Sequence, residues 1–282
     1  MSMPSRKTIL EYWERLLLQS GVDSPRLSAQ VLLAHILGMP RLDMLLDVRA
    51  PVDEPSRLRM EELGKRRMKG EPVAYLVGEK EFYGFTFYVG PGVLIPRPET
   101  ELILDHLLES VDQNACLHVL DVGTGSGALA VSCANLFPCF RVAAVDISLE
   151  ALKVARKNAL LHNVLDRILF LQGDLLEALR IDSFDVVLAN LPYVPLTTKE
   201  TLSREVLCHE PEIALFSGPD GLDCYRALAR SLCETVKPGA LLLCEIDHSQ
   251  GMAVIDLFSG IAQSVRILKD YAGLDRLVVV VF

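Results

Sequence analysis

The amino-acid sequence predicts an α/β protein: a mainly parallel sheet covered by helices and finished by an antiparallel hairpin, preceded by a small helical bundle. Three observations carry this expectation. Strand-like and helical patterns alternate from about Pro98 onward. A glycine-rich turn, Gly123-Thr124-Gly125-Ser126-Gly127, joins a predicted strand to a helix, and the last two strand-like segments are joined only by the turn around Gly273. Alternation builds parallel strands through crossover helices, whereas two strands so closely linked pair antiparallel.

The elements follow in order. One amphipathic run ends at Gly21, a second starts at Ser24-Pro25 and stops at Gly38, and a third begins near Asp53-Glu54-Pro55 and ends at Gly70. Short helices with brief links bury their apolar stripes on each other, so residues 1–72 are expected to form a helical domain. Over 73–95 the texture becomes aromatic and glycine-punctuated, Glu81-Phe82-Tyr83-Gly84-Phe85-Thr86-Phe87-Tyr88, which reads as a β-hairpin connector. The remainder, 96–282, alternates: a helix over 98–111, a strand over 117–122, a helix after Gly127, a strand over 141–147 and a helix over 149–162. Strands follow over 168–171, 184–189 and 240–246, then the closing pair over 264–269 and 276–282.

Composition bounds the function. The chain has 282 residues, 50% hydrophobic and 23% charged, ample for one large and one smaller domain. No long apolar stretch follows the first basic residues, so neither a signal peptide nor a membrane span is expected and the cytoplasm is the expected location. Seven cysteines are scattered without a Cys-x-x-Cys pair, and six histidines show no metal-ligand spacing, so no zinc site or disulfide frame is expected. A formal net charge of -9 disfavours stable nucleic-acid binding, which rests on neutralising phosphates.

Two motifs carry chemistry. Glycines at 123, 125 and 127 let the backbone approach a ligand closely, and Asp146, closing the next strand, is placed to accept hydrogen bonds from ribose hydroxyls. The same pattern satisfies a dinucleotide site, so an oxidoreductase using a nicotinamide remains an alternative. Asp174 and Leu175, after the third strand, are candidates to accept from an adenine amino group and to cover its ring. At the end of the fourth strand stands Asn190-Leu191-Pro192-Tyr193. Such a group suits a planar, deactivated nitrogen nucleophile: side-chain and backbone oxygens that accept its two hydrogens orient the lone pair and stabilise developing positive charge. Tyr193 would stack on the planar group, and Pro192 stiffens the turn. Exocyclic amino groups of DNA adenine demand the same arrangement, so a DNA methyltransferase is a second alternative, disfavoured by the acidic balance and the lack of an evident basic recognition domain.

From Gly70 to Phe282 the chain resembles the HemK/PrmC family of glutamine amide methyltransferases that modify peptide chain release factors. The resemblance rests on Gly70-Glu71-Pro72-Val73-Ala74-Tyr75-Leu76, on Pro91-Gly92-Val93-Leu94-Ile95-Pro96-Arg97-Pro98-Glu99-Thr100-Glu101 and on Leu120-Asp121-Val122-Gly123-Thr124-Gly125-Ser126-Gly127. It continues through Glu210-Pro211, Asp220-Gly221-Leu222 and Lys269-Asp270. It implies a class I S-adenosylmethionine-dependent methyltransferase fold, Rossmann-like, with S-adenosyl-L-methionine as cofactor. The acceptor it implies is the glutamine of the Gly-Gly-Gln loop in class I release factors, with the helical domain helping to dock the factor. By the same likeness Gly123, Thr124, Gly125, Ser126, Gly127, Asp146, Asp174, Leu175 and Asn190 would hold the cofactor, and Asn190, Leu191, Pro192 and Tyr193 the glutamine. Two positions depart from the family pattern: Leu191 stands where a proline is usual, and Asp247 follows Glu245-Ile246 where a glycine is expected. Glu245 is expected to be structural, ending a strand against the fourth, with a contact to the site as the alternative reading. The basic residues Arg57, Arg59, Lys65, Arg66, Arg67 and Lys69 on one helix, interrupted by Glu61 and Glu62, are expected to be a solvated face, with steering of an acidic patch of a partner as the alternative hypothesis.

Overall fold

The computed structural model describes residues 3–177, 179, 184–232 and 235–282. Cys233, one of the seven cysteines, and the first two residues lie outside them. The chain divides into two compact units, Met1–Glu79 with Ser203–His209, and Lys80–Leu202 with Glu210–Phe282.

The first unit is helical: α1 (Arg6–Gln19), α2 (Pro25–Leu37), α3 (Arg41–Leu46), α4 (Glu54–Met68) and α5 (Val73–Val77). Trp13, Leu17, Leu32, Leu33, Met44, Met60 and Leu63 fill its core. Caps set the boundaries. Ser5 accepts from the Thr8 N–H at the start of α1, and Asp53 accepts from the Ser56 N–H at the start of α4. Ser24 stands at the start of α2 but adopts φ 52 and makes no side-chain cap; Pro25 in the first turn marks that start instead.

Two expectations are corrected here. Residues 73–77, expected in the hairpin connector, form a helical turn, because Pro72 starts it and Gly78, at φ 79, ends it in the left-handed region. On α4, Arg57, Arg59, Lys65 and Arg66 are solvated as expected, paired with Glu54, Glu62, Glu61 and Glu71, but Arg67 is not. Arg67 is 3% exposed. It bonds the Glu71 carbonyl at 2.9 Å and Glu205 at 2.7 Å, an interior strut of this unit rather than a steering charge.

The hairpin is confined to β1 (Glu79–Phe82) and β2 (Phe85–Tyr88). After a 3-10 turn at Pro98–Thr100 come α6 (Glu101–Ser110), β3 (His118–Val122), α7 (Ala128–Leu136), β4 (Arg141–Asp146), α8 (Leu149–Leu161), β5 (Ile168–Gln172) and β6 (Phe184–Ala189). The short α9 (Arg204–His209) belongs to the first unit. Then follow α10 (Asp223–Leu232), β7 (Val236–Glu245), α11 (Gly251–Ser259), β8 (Ser264–Lys269) and β9 (Asp275–Val281).

Seven strands form one sheet in the order β5-β4-β3-β6-β7-β9-β8. The first five are parallel, and β9 runs antiparallel to both β7 and β8. Successive strand residues point to opposite faces. Val119, Val142, Val186 and Leu188 meet α6 and α7 through Leu104, Leu107 and Val131 on one side. Leu120, Val145, Val187 and Leu242 meet α10 and α11 through Tyr225, Leu228 and Phe258 on the other. Strand order reverses at β3: the chain winds outward through β4 and β5, then returns to place β6 on the opposite side. In open α/β sheets ligands bind outside the strand C-termini at such a reversal.

Candidate active site

Strand register assembles the site. Val122 pairs with Val145 on one side and Ala189 on the other, and Ala189 pairs with Cys244. The next residues along each strand, Asp146, Gly123, Asn190 and Glu245, therefore form a row along the C-terminal edge of the sheet. Beyond Asp146, which pairs with Gln172, the row extends to Gly173.

On one side of the reversal lies the glycine turn. Gly127 adopts φ 80, and a Cβ there would sit 3.0 Å from the Ala155 Cβ, so only glycine lets α7 start this close to α8. Asp146 braces the turn: its Oδ2 accepts from the Gly125 N–H and its Oδ1 from the Ser148 N–H, both at 2.8 Å. Burial pushes the Asp146 carboxyl up, and these two bonds oppose the shift. Beneath the turn, Asp121 accepts from the Thr124 hydroxyl at 2.6 Å and the Ala130 N–H at 3.1 Å. Its full burial outweighs both bonds and raises its pKa to about 7.

A cleft opens above this edge. Gly123, Thr124, Gly125, Ser126, Asp146, Asp174, Leu175, Asn190, Leu191 and Pro192 all line it, as do Phe82, Leu94 and Thr100. Leu175 holds φ 47, unusual for a branched side chain, in the turn that follows β5. Gly127 instead packs against Ala155, and Tyr193 turns its hydroxyl to Glu245. The segment ahead of α6 is pinned by Glu210, which accepts from the Ile95 N–H and pairs with Arg97.

On the other side of the reversal stands the tetrapeptide. The Asn190 Nδ2 donates to the Thr100 hydroxyl oxygen at 2.8 Å, and the Thr100 hydroxyl donates to Glu245 Oε2 at 2.6 Å. The Tyr193 hydroxyl donates to Glu245 Oε1 at 3.0 Å, and Tyr225 donates to the Glu245 backbone carbonyl. Glu245 is 2% exposed, so burial pushes its carboxyl up while these donors and Arg276 pull it down. Glu245 ends β7, the preferred reading, and its carboxylate also touches the tetrapeptide through Tyr193, the alternative one. In the sequence Thr100 stands out only as part of the run Pro91 to Glu101. What identifies both residues is strand order, which sets Glu245 beside Asn190.

The two departures have structural accounts. Leu191 is 3% exposed, and its Cδ2 lies 3.0 Å from where a Gly123 Cβ would be, so this side chain fills the space over the glycine turn. Asp247 accepts from the Ser249 N–H and hydroxyl, and its own N–H donates to Gln250 Oε1. Gln250 in turn donates through Nε2 to the Tyr193 carbonyl at 2.9 Å. Asp247 thus orders the turn that holds the tetrapeptide's backbone.

Among the described residues no group of three or more His, Cys, Asp or Glu is arranged to hold a metal ion. No helix there is long and apolar enough to cross a membrane.

Two family models match, the PrmC N-terminal domain over residues 8–78 and the methyltransferase small domain over residues 98–217. The release factor glutamine methyltransferase of Chlorobaculum tepidum is 40% identical over 92% of this chain and 90% of its own length. That of Moorella thermoacetica is 40% identical over 93% of each chain. Among solved structures, a methyltransferase from Pyrococcus furiosus superposes with a TM-score of 0.53 at 16% identity, covering 79% of this chain and 98% of that one. The ribosomal protein L11 methylase of Lactobacillus delbrueckii subsp. bulgaricus gives 0.50 at 23% identity, covering 68% and 82%. The solved structures share the fold, that of class I methyltransferases, and the relatives match along nearly the whole chain. With its glycine turn, strand-end aspartate and Asn190 tetrapeptide meeting at one reversal of the sheet, the chain belongs to the release factor glutamine methyltransferase family.

Proposed function

We propose that this enzyme transfers a methyl group from S-adenosyl-L-methionine to the side-chain amide nitrogen of the glutamine in the Gly-Gly-Gln loop of class I peptide chain release factors. The observation that carries this reading is the position of Asn190, in the row at the sheet edge between the glycine turn and Glu245.

The residues present fit the cofactor. Backbone at Gly123 to Ser126 borders the cleft for close approach, Asp146 offers carboxylate oxygens at the adjacent strand end, and Asp174 with Leu175 lines the same cleft. When bound, the sulfonium supplies an electrophilic methyl group. Asp146 would accept from the ribose hydroxyls, Asp174 from the adenine amino group, and Leu175 would cover the ring. Asn190, at the junction, borders both cofactor and acceptor.

An amide nitrogen is a weak nucleophile because its lone pair is delocalised. The Asn190 side-chain oxygen and the backbone carbonyl of Leu191 or Pro192 accept the two N–H bonds of the incoming glutamine, which aims the lone pair and offsets charge developing on nitrogen. Holding the nitrogen in line lowers the barrier by about 7–11 kcal/mol at the upper limit of such positioning. Tyr193 packs on the amide plane. The N-terminal helical unit, the part that matches the PrmC N-terminal domain, docks the release factor.

The test is incubation of the protein with S-adenosylmethionine and a release factor, followed by peptide mass spectrometry, with Asn190→Ala alongside. A methyl group on the Gly-Gly-Gln glutamine that is lost in the variant supports the reading. Cofactor binding with no methylation of that glutamine refutes it.

A further inference from the structure

We infer that Thr100 and Glu245 are positioning residues that decide which end of the Asn190 amide faces the acceptor. The inference rests on the reading above, that a glutamine amide is the group to be methylated. An asparagine side chain is nearly symmetric in shape but not in hydrogen bonding: turned one way it presents an acceptor oxygen, turned the other way two N–H donors. For an incoming NH2 group only the first orientation is useful, since two donors facing two donors repel.

The structure holds a chain of hydrogen bonds with a fixed direction. Both Glu245 oxygens act as acceptors, Oε1 from the Tyr193 hydroxyl and Oε2 from the Thr100 hydroxyl, so Thr100 gives its only hydrogen to Glu245 at 2.6 Å. The Thr100 oxygen is then left toward Asn190 as an acceptor and nothing else. Asn190 answers with Nδ2, at 2.8 Å. A flipped amide would set its oxygen against the Thr100 oxygen with no hydrogen between them, so Oδ1 is the end left free. The second carboxylate oxygen is occupied as well, by the Tyr193 hydroxyl at 3.0 Å, so both oxygens of a carboxylate that is 2% exposed accept from the site itself. Burying a carboxylate is costly unless donors surround it. Here the donors are those whose direction the reaction needs. The arrangement joins residues 90 and 145 positions apart in the chain, Asn190 to Thr100 and Thr100 to Glu245.

Thr100→Val keeps the shape and removes both the donor and the acceptor. Thr100→Ser keeps the hydroxyl. Glu245→Gln replaces one accepting oxygen by an N–H donor and removes the unique direction of the chain. All three, with the parent enzyme, are assayed for methylation of a Gly-Gly-Gln peptide and for affinity to S-adenosylhomocysteine by calorimetry. The expected result is a fall in kcat of about tenfold to a hundredfold for Thr100→Val and Glu245→Gln, the rate equivalent of losing a hydrogen bond to a charged group. Affinity for S-adenosylhomocysteine stays within about threefold, and Thr100→Ser recovers most of the rate. A kcat for Thr100→Val within about threefold of the parent overturns the inference. So does a Thr100→Ser enzyme as slow as Thr100→Val, or a loss of S-adenosylhomocysteine affinity as large as the loss of kcat. If Thr100→Val does not fold, Glu245→Gln decides alone, and parent-like kcat there overturns it. A parent enzyme that binds cofactor but leaves the glutamine unmodified refutes the function itself and this inference with it, a result distinct from an active parent whose variants keep full rate.

Discussion

Replacing Gly221 by alanine tests whether the tetrapeptide depends on the backbone beneath it. Gly221 adopts φ 80, and a Cβ added there would lie 2.1 Å from the Tyr193 carbonyl oxygen and 2.6 Å from Gln250 Nε2. Those two atoms are hydrogen-bonded to each other at 2.9 Å. Three costs follow. The left-handed backbone disfavours alanine by about 1–2 kcal/mol. The Tyr193 carbonyl must move away, and breaking its bond to Gln250 costs about 1–3 kcal/mol if a buried partner is left unsatisfied. Overpacking adds a contribution of similar size to either. Together they come to about 3–8 kcal/mol, a large share of the roughly 5–15 kcal/mol that holds a native protein together. For a domain of this size that is a fall in Tm of at least about 6 °C. Because the displaced atom belongs to Tyr193, kcat for the glutamine substrate should fall further than affinity for S-adenosylhomocysteine. The assay pairs thermal melts with kinetics and uses Gly260→Ala as control, where an added Cβ meets nothing within 4 Å and φ is -80. A Gly221→Ala enzyme that melts with the control and keeps parent kcat would refute the reasoning.

Other expectations follow from the same geometry. The folded protein holds the Asp121 proton up to about pH 7, whereas the unfolded chain releases it near 3.8. The folded state thus binds more protons across that window, and its stability declines as pH rises through it, by on the order of 4 kcal/mol in the limit. Both donors to Asp121 converge on Oδ2, so Asp121→Asn keeps them; urea titrations at pH 5 and pH 8 should show a smaller decline in the variant, and parallel declines would count against the assignment. Asp146→Ala should weaken S-adenosylhomocysteine by at least about tenfold, as removal of a charged acceptor does, and calorimetry showing parent affinity would remove Asp146 from the site. Arg67→Met should destabilise the helical unit by about 2–3 kcal/mol, less than for a fully buried pair because Glu205 retains 30% side-chain exposure, and an unchanged denaturation midpoint would contradict the strut.

Much of this molecule was legible one segment at a time. Strand and helix alternation, the glycine turn, the closing β8 and β9 hairpin and the Asn190 tetrapeptide all rest on periodicity or on glycine and proline chemistry that acts within a few residues. Local signals also misled. The aromatic stretch after Gly70 concealed the helical turn Val73–Val77, and the charge count on α4 gave no hint that Arg67 lies inside. The two errors differ in kind: Pro72 and Gly78 are local signals that the aromatic run beyond them outweighed, whereas no local pattern says which distant side chain a residue meets, and Glu205 lies far along the chain from Arg67. The reacting edge shows the same limit more sharply. Sequence alone determined that a close-approach turn, a ribose-type acid and an amide-binding tetrapeptide exist, because each is a short motif with its own chemistry. Only the tertiary structure decided that they share one cleft and that Thr100 and Glu245 stand behind Asn190, because strand order and register are set by packing of the whole sheet, and hydrogen bonds across it are made between residues that no window of sequence contains together.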